Sequence, residues 1–233
     1  MTTNTNTTDM QGQYSVTIRY VIDGTASMTP IIDTVKGELL ALHGQLTAAL
    51  AAKSKVVGKL QVGVDVFRDV YCDGTHAFIS SRFFDMATEQ AELQKFVSAV
   101  HPMGGGDEPE NGLEGLTLAL NATWPNDAAK QRHVVVVYTD ASAHELEKAA
   151  GFSQPNYPAN MPKTFSELTD RWSSQSMDRN AKRLILFAPD AYPWTDIATN
   201  WENCVHYASR AGDGLSDVDS QTILDAIVNS IAV

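Results

Sequence analysis

The sequence predicts an α/β domain: a doubly wound, mainly parallel sheet flanked by helices. Three observations predict it. Strand-like and helix-like hydrophobic patterns alternate along the chain, the order that parallel β-α-β units require. Two runs, Val134 to Tyr138 (VVVVY) and Arg183 to Ala188 (RLILFA), are apolar without alternation, as befits strands covered on both faces. The 233 residues, 43% apolar and 19% charged, suit one large core better than two small ones.

The elements follow in order. Tyr14 to Asp23 (YSVTIRYVID) reads as the first strand, with Val16, Ile18, Tyr20 and Ile22 on one face by period two. After Pro30 the period becomes helical: Ile32, Val35, Leu39, Leu42, Leu46 and Leu50 form one amphipathic stripe. Lys59 to Arg68 is a second strand, and His76 to Phe84 a short third one at a sheet edge. Leu93, Phe96, Val97 and Val100 mark a helix. Leu113, Leu116 and Leu120 mark another after a glycine run. The two apolar strands come next, then a short edge strand, Cys204 to Tyr207. Ile223, Leu224, Ile227 and Ile231 form the stripe of a final helix. Residues 14–233 are expected to form one domain, and residues 1–13, which lack Lys, Arg and any apolar run, a disordered polar tail.

Charge and composition narrow the function. Lys and Arg total 17 against 28 Asp and Glu, a net charge of −11, which disfavours phosphate backbones and anionic lipid surfaces. Neither nucleic acid nor membrane is an expected partner. No stretch approaches the length of apolar residues that a membrane span needs. Cys72 and Cys204 form no disulfide framework and lack zinc-site spacing, so both are read as buried thiols of a cytoplasmic protein.

In doubly wound folds, ligands bind beyond the C-terminal ends of the strands. Three polar clusters fall there. The first strand runs into Asp23-Gly24-Thr25-Ala26-Ser27-Met28. Gly104-Gly105-Gly106 leads into Asp107-Glu108-Pro109-Glu110. The VVVVY strand ends in Thr139-Asp140. Carboxylate and hydroxyl oxygens are hard ligands that suit Mg²⁺ or Mn²⁺ rather than zinc. In an extended loop, Asp23, Thr25 and Ser27 alternate onto one side, and the glycines let a second segment approach closely.

An apolar strand followed by D-x-[ST]-x-S, then a Gly-rich loop, then an Asp ending a later strand resembles the von Willebrand factor A domain over about Tyr14 to Val233. In that family the three loops form the metal-ion-dependent adhesion site (MIDAS). The resemblance implies a Rossmann-like fold and a non-enzymatic module whose divalent metal is completed by an acidic side chain of a partner protein. It assigns Asp23, Thr25 and Ser27 to the first loop and Asp140 to the third. The wording D-x-T-x-S-M, G-G-G-D-x-P-E and T-D-A is similar to an intracellular bacterial branch encoded with tellurite-resistance and kinase–phosphatase stress modules. The second loop departs from the family, with Asp107 where many members have Thr. Mg²⁺ with Asp23 and Asp140 sums to zero and still attracts an outside carboxylate. Direct binding by Asp107 brings the sum to −1 and weakens that attraction. Asp107 is therefore a metal ligand, directly or through water, or the cap of a helix starting at Pro109.

Other residues have local readings. Glu108 and Glu110 fit the first turn of that helix, where negative charge favours the dipole. His144, four residues past Asp140, is a loop histidine or lines the mouth of the site. His43, His76, His101, His133 and His206 are structural. Gly151 to Pro162 is a proline-rich loop whose Tyr157 and Met161 either contact a partner or passively cover the surface. Trp124, Trp172, Trp194 and Trp201 anchor the core or loops.

Two alternatives stand beside the adhesion site. Ile22-Asp23-Gly24-Thr25 and Gly212 to Asp217 are similar to the D-x-D-G-T and G-D-x-x-x-D motifs of haloacid-dehalogenase-like, Mg-dependent phosphatases. Val21, however, stands where that chemistry needs its nucleophilic carboxylate. The other alternative is a structural scaffold with a vestigial metal site.

Overall fold

The computed structural model describes residues 13–106, 108–126, 128–149, 157–174, 177–211, 215 and 219–232. The polar tail up to residue 12, Asp107 and most of the Gly212–Asp217 motif lie outside the described residues.

Among the described residues seven strands form one sheet: β1 (Tyr14–Asp23), β2 (Val57–Phe67), β3 (Phe78–Ser80), β4 (Phe84–Asp85), β5 (Gln131–Tyr138), β6 (Lys182–Pro189) and β7 (Cys204–Ser209). Their order is β3-β2-β1-β5-β6-β7, with β4 also pairing β2. The strands from β2 to β7 along this path are parallel, whereas β3 and β4 run antiparallel to β2. The expected third strand is thus two short ones. Between them the Ser81 hydroxyl accepts from the Val64 amide at 2.8 Å, a bond that a backbone carbonyl would make in an unbroken ladder.

The first strand's alternation divides the core as the period predicts. Val16, Ile18, Tyr20 and Ile22 pack with α1 (Thr29–Ala52), α3 (Gln90–Ser98) and α8 (Ser220–Ala232). On the other face, Val21 and Phe67 pack with α4 (Gly112–Asn121), α6 (Phe165–Ser173) and α7 (Trp194–Asn200). All four tryptophans are buried, as expected of anchors. Burial on both faces is what leaves VVVVY and RLILFA without alternation. Among the described residues two further helices are short, α2 (Val70–Asp73) and α5 (Leu146–Ala149). Among the described residues no helix is long and apolar enough to cross a membrane.

One polar pair interrupts the α4 face. Arg19 donates to both carboxylate oxygens of Asp65 at 2.6 Å, and both side chains are buried. A β-carbon on Gly63 would lie 2.7 Å from Arg19 Nη1, so glycine makes room for the guanidinium.

Two expectations are corrected. The cysteines are not both buried: Cys72 is exposed on the short α2, and Cys204 is half-buried because β7 is an edge strand. The helix after the glycine run starts at Gly112 rather than Pro109. Residues 108–110 instead run as a loop segment beside Ser142–His144, joined by Glu110 N to Ser142 O at 3.0 Å and His144 N to Glu110 O at 2.8 Å.

Candidate metal centre

The chain leaves β1 toward β2 on one side and later returns as β5 on the other, so strand order reverses between β1 and β5. The two strands are paired up to Ile22 and Tyr138. Asp23 and Asp140 therefore emerge side by side at the switch point, where a doubly wound sheet opens a crevice.

Short polar contacts link the two loops, with the Thr25 and Ser27 protons each directed to a carboxylate. Asp23 Oδ1 accepts from the Thr25 amide at 2.9 Å and from the Thr25 hydroxyl at 2.6 Å. Asp23 Oδ2 accepts from Thr139 Oγ1 at 2.7 Å. The Thr25 and Ser27 hydroxyls stand 3.1 Å apart, and Ser27 donates to Asp140 Oδ1 at 2.9 Å. Asp23, Thr25 and Asp140 are buried, whereas Ser27 is exposed and leaves that side open to solvent. The structure thus brings together four of the five residues singled out in the sequence.

Glycines bring the second loop close. Gly104 and Gly105 have φ of 68° and 74°, a region that favours glycine. A β-carbon on Gly105 would lie 2.9 Å from Glu110 Oε1 and 3.0 Å from Thr25 Cβ. Gly105 N donates to Asp73 Oδ2 at 3.0 Å, tying the loop to α2. Beneath it, the buried Arg68 guanidinium donates to the carbonyls of Gly24, His76 and His101 at 2.9, 2.7 and 2.9 Å. These segments enclose a cleft of about 230 Å³ lined by Thr25, Ser27, the three glycines, Glu108, Glu110 and Asp140.

The cleft crowds negative charge. Burial pushes the Asp23 carboxyl up to about 6; the Thr25 and Thr139 hydrogen bonds oppose that rise, and Asp140 adds to it. Glu110 is pushed up to about 9, first by burial and then by Asp23, Asp69, Asp73 and Asp140. Asp140 Oδ2 and Glu110 Oε2 are buried without a hydrogen-bond partner. Such orphaned oxygens are costly unless something positive satisfies them. Among the described residues no three His, Cys, Asp or Glu side chains gather closely enough to hold a metal. The converging donors are instead two carboxylates and two hydroxyls, an oxygen set that fits a hard dication.

Glu108 and Glu110 lie ahead of α4, not in its first turn. Glu108 Oε1 accepts from Ser142 N at 2.7 Å, and Glu110 turns into the cleft. No helix begins at Pro109 for Asp107 to cap, and Asn111, at the start of α4, uses its Oδ1 to accept from Val70 N at 2.7 Å. His144 is largely covered, edge-on to Tyr71, with Nε2 3.7 Å from Asp69 Oδ1. Tyr157 donates to the buried Glu114 at 2.9 Å, a bond that fastens its loop to α4. Val21 is buried within β1, and no carboxylate stands two residues before Asp23.

Thr139 and Glu110 stand in the polar clusters of the sequence without a site role assigned to them, and Arg68 stands in none. Thr139 was readable from the hydroxyl beside Asp140 at a strand end. A local helix-dipole explanation hid Glu110. Nothing local marks Arg68, whose partners are 44, 8 and 33 residues away.

Residues 82–194 match the sequence model of the von Willebrand factor A domain. The chain is 28% identical over 132 residues to the alpha-protein kinase vwkA of Dictyostelium discoideum, covering 57% of this chain and 19% of that protein. Its fold is similar to that of the PilB minor pilin of Streptococcus sanguinis, with TM-score 0.56 and 12% identity, covering 95% of this chain and 62% of that one. It is also similar to the pilus adhesin SpaC of Lactobacillus rhamnosus GG, with TM-score 0.55 and 14% identity, covering 94% and 31% of the two chains. The vWF domain of the pilus tip protein Mfa5 of Porphyromonas gingivalis gives TM-score 0.50 and 13% identity, covering 93% and 95%. The chain thus spans a minority of the kinase and of SpaC, and the Asp23–Ser27 loop lies upstream of the matched segment. Domains of this family commonly hold a divalent metal and are generally interaction modules rather than enzymes. Residues 82–194 thus match the von Willebrand factor A family model, and the solved structures share the fold of the chain.

Proposed function

We propose that this domain is a non-enzymatic module that binds a partner protein through Mg²⁺ or Mn²⁺ at the cleft between β1 and β5. Asp23, Thr25, Ser27 and Asp140 supply the oxygen ligands, and Asp107 joins them on its place in the motif. The observation that carries this reading is the convergence of Asp23, Thr25, Ser27 and Asp140: the two hydroxyls give their protons to the two carboxylates, their oxygens stand 3.1 Å apart, and Asp140 Oδ2 is left unpartnered. When bound, the dication supplies a directional point of attraction for an oxygen anion. Thr25 and Thr139 hold both oxygens of Asp23 in place. Arg68 holds the Gly24 carbonyl and therefore the turn after Asp23. Gly104 and Gly105 let the second loop close over Thr25. Asp23 and Asp140 together offset a dication, so an incoming carboxylate of the partner is still attracted.

The setting proposed is a cytoplasmic assembly linked to kinase–phosphatase signalling in a bacterial stress response. Its support is the motif wording, with the kinase name of one partial relative as a weaker pointer. The pilus proteins of similar fold support an extracellular adhesive setting as the alternative.

The test is a pull-down from the source cell with wild-type and Ser27→Ala protein, with Mg²⁺ or with chelator. A partner retained only by wild-type protein with Mg²⁺ is expected. Equal capture in chelator sinks the metal-bridged reading and favours a scaffold with a vestigial site.

A further inference from the structure

At the opposite end of the sheet, around the start of β6, lies a cavity of about 220 Å³. Trp172, Ser173, Arg179, Lys182, Asn200, Trp201 and Glu202 line it. Lys182 is 2% exposed. Its ammonium donates to the Trp172 carbonyl and sits 4.6 Å from the centre of the Trp172 ring. Trp201 stacks on Trp172 with ring centres 5.3 Å apart, which stiffens that wall. An ammonium has three N–H donors, and one acceptor is provided here. Among the described residues no carboxylate pairs with Lys182. The nearby Glu202 is taken by Arg179, whose Nε donates to Glu202 Oε2 at 2.8 Å.

A buried cation without a counter-ion is expensive, and proteins normally pair such charges. Burial accordingly pushes the Lys182 ammonium below its ordinary pKa. The lining charges decide the ligand. Arg179 and Glu202 cancel, which leaves one uncompensated positive charge. A singly charged carboxylate balances it, whereas a doubly charged phosphate overshoots. In a protein of net charge −11, Lys182 is thus a buried positive charge at the end of the sheet opposite the acidic cleft.

We propose that the cavity at the start of β6 is a second binding site, which takes a carboxylate such as an acidic side chain onto the Lys182 ammonium. The spare Nη1 donors of Arg179 at the rim supply a further contact. This site uses no metal and is independent of the β1–β5 cleft.

The test titrates metal-free protein with N-acetyl-glutamate amide, which bears a single carboxylate. The glutamine counterpart and inorganic phosphate are separate arms at constant ionic strength. Tryptophan fluorescence and melting temperature are read. A saturable response to the glutamate compound alone is expected, lost in Lys182→Met and weakened at least tenfold in Ser173→Glu, which places a fixed carboxylate at the exposed rim. Should Lys182→Met fail to fold, Ser173→Glu decides. Equal responses to the glutamate and glutamine compounds, no response to either, or an unchanged response in Ser173→Glu overturn the proposal. A stronger response to phosphate overturns the carboxylate assignment.

Discussion

Replacing Asp23 by Asn separates what its carboxylate costs the fold from what it does for metal. In the metal-free protein, burial raises this carboxyl from 3.8 to about 6 despite the hydrogen bonds it accepts from Thr25 and Thr139. An acid whose folded pKa lies above its unfolded value penalises the fold where it is ionised. The penalty is absent below 3.8, grows between 3.8 and about 6, and is complete above that. A rise of this size corresponds to about 3 kcal/mol. Asn removes the charge and keeps the shape. Its carbonyl still accepts from Thr25, and the Thr139 hydroxyl can accept where it now donates. Metal-free Asp23→Asn is therefore expected to be more stable than wild type by about 3 kcal/mol at pH 7.5, or roughly 6–12 °C in melting temperature. Near pH 3.5 the gain disappears. Added Mg²⁺ should raise the melting point of wild type but not of the variant, because a ligand stabilises only the state that binds it. Scanning calorimetry in chelator, then in excess Mg²⁺, measures both. A metal-free variant that melts no higher than wild type at pH 7.5, or a gain that persists unchanged at pH 3.5, refutes the reasoning.

Further outcomes follow from individual residues. Gly105→Ala places a methyl 2.9 Å from Glu110 Oε1 at φ +74°, so a loss of about 1–3 kcal/mol in stability and weaker Mn²⁺ binding are expected by urea denaturation and calorimetry. Arg68→Met takes the side-chain donor from the His76 and His101 carbonyls and leaves Gly24 O only its bond from Met103 N; a cost of about 3 kcal/mol is expected in urea titration, together with weakened metal binding. Arg19→Met strands the buried Asp65 carboxylate and should cost about 3–5 kcal/mol, much of it recovered by adding Asp65→Leu in a double-mutant cycle.

What was legible in the sequence was whatever local pattern encodes. Val134 to Tyr138 and Arg183 to Ala188 announced themselves as central strands because burial on both faces removes alternation. The positions of Asp23, Thr25, Ser27 and Asp140 were legible because strand ends carry the cleft and short polar loops stand out there. Elements of four to seven residues, such as α2, α5 and α7, are too short to show a helical period. Glu110 was misplaced because its acidity had a sufficient local explanation, and only the return of residues 108–110 alongside Ser142 turns it into the cleft. Arg68 follows a strand without any motif, and its role exists only once three distant carbonyls converge on it. The cysteines were misjudged by base rate. Cys72 sits on a rim helix and Cys204 on an edge strand, where burial is incomplete.

The most direct test of the central claim is anomalous scattering from crystals soaked in Mn²⁺. A single strong peak is expected within ligand distance of Ser27 Oγ and Asp140 at the mouth of the β1–β5 cleft, absent in Asp140→Ala crystals. A peak elsewhere, or none at the cleft in well-diffracting crystals at saturating Mn²⁺, contradicts it.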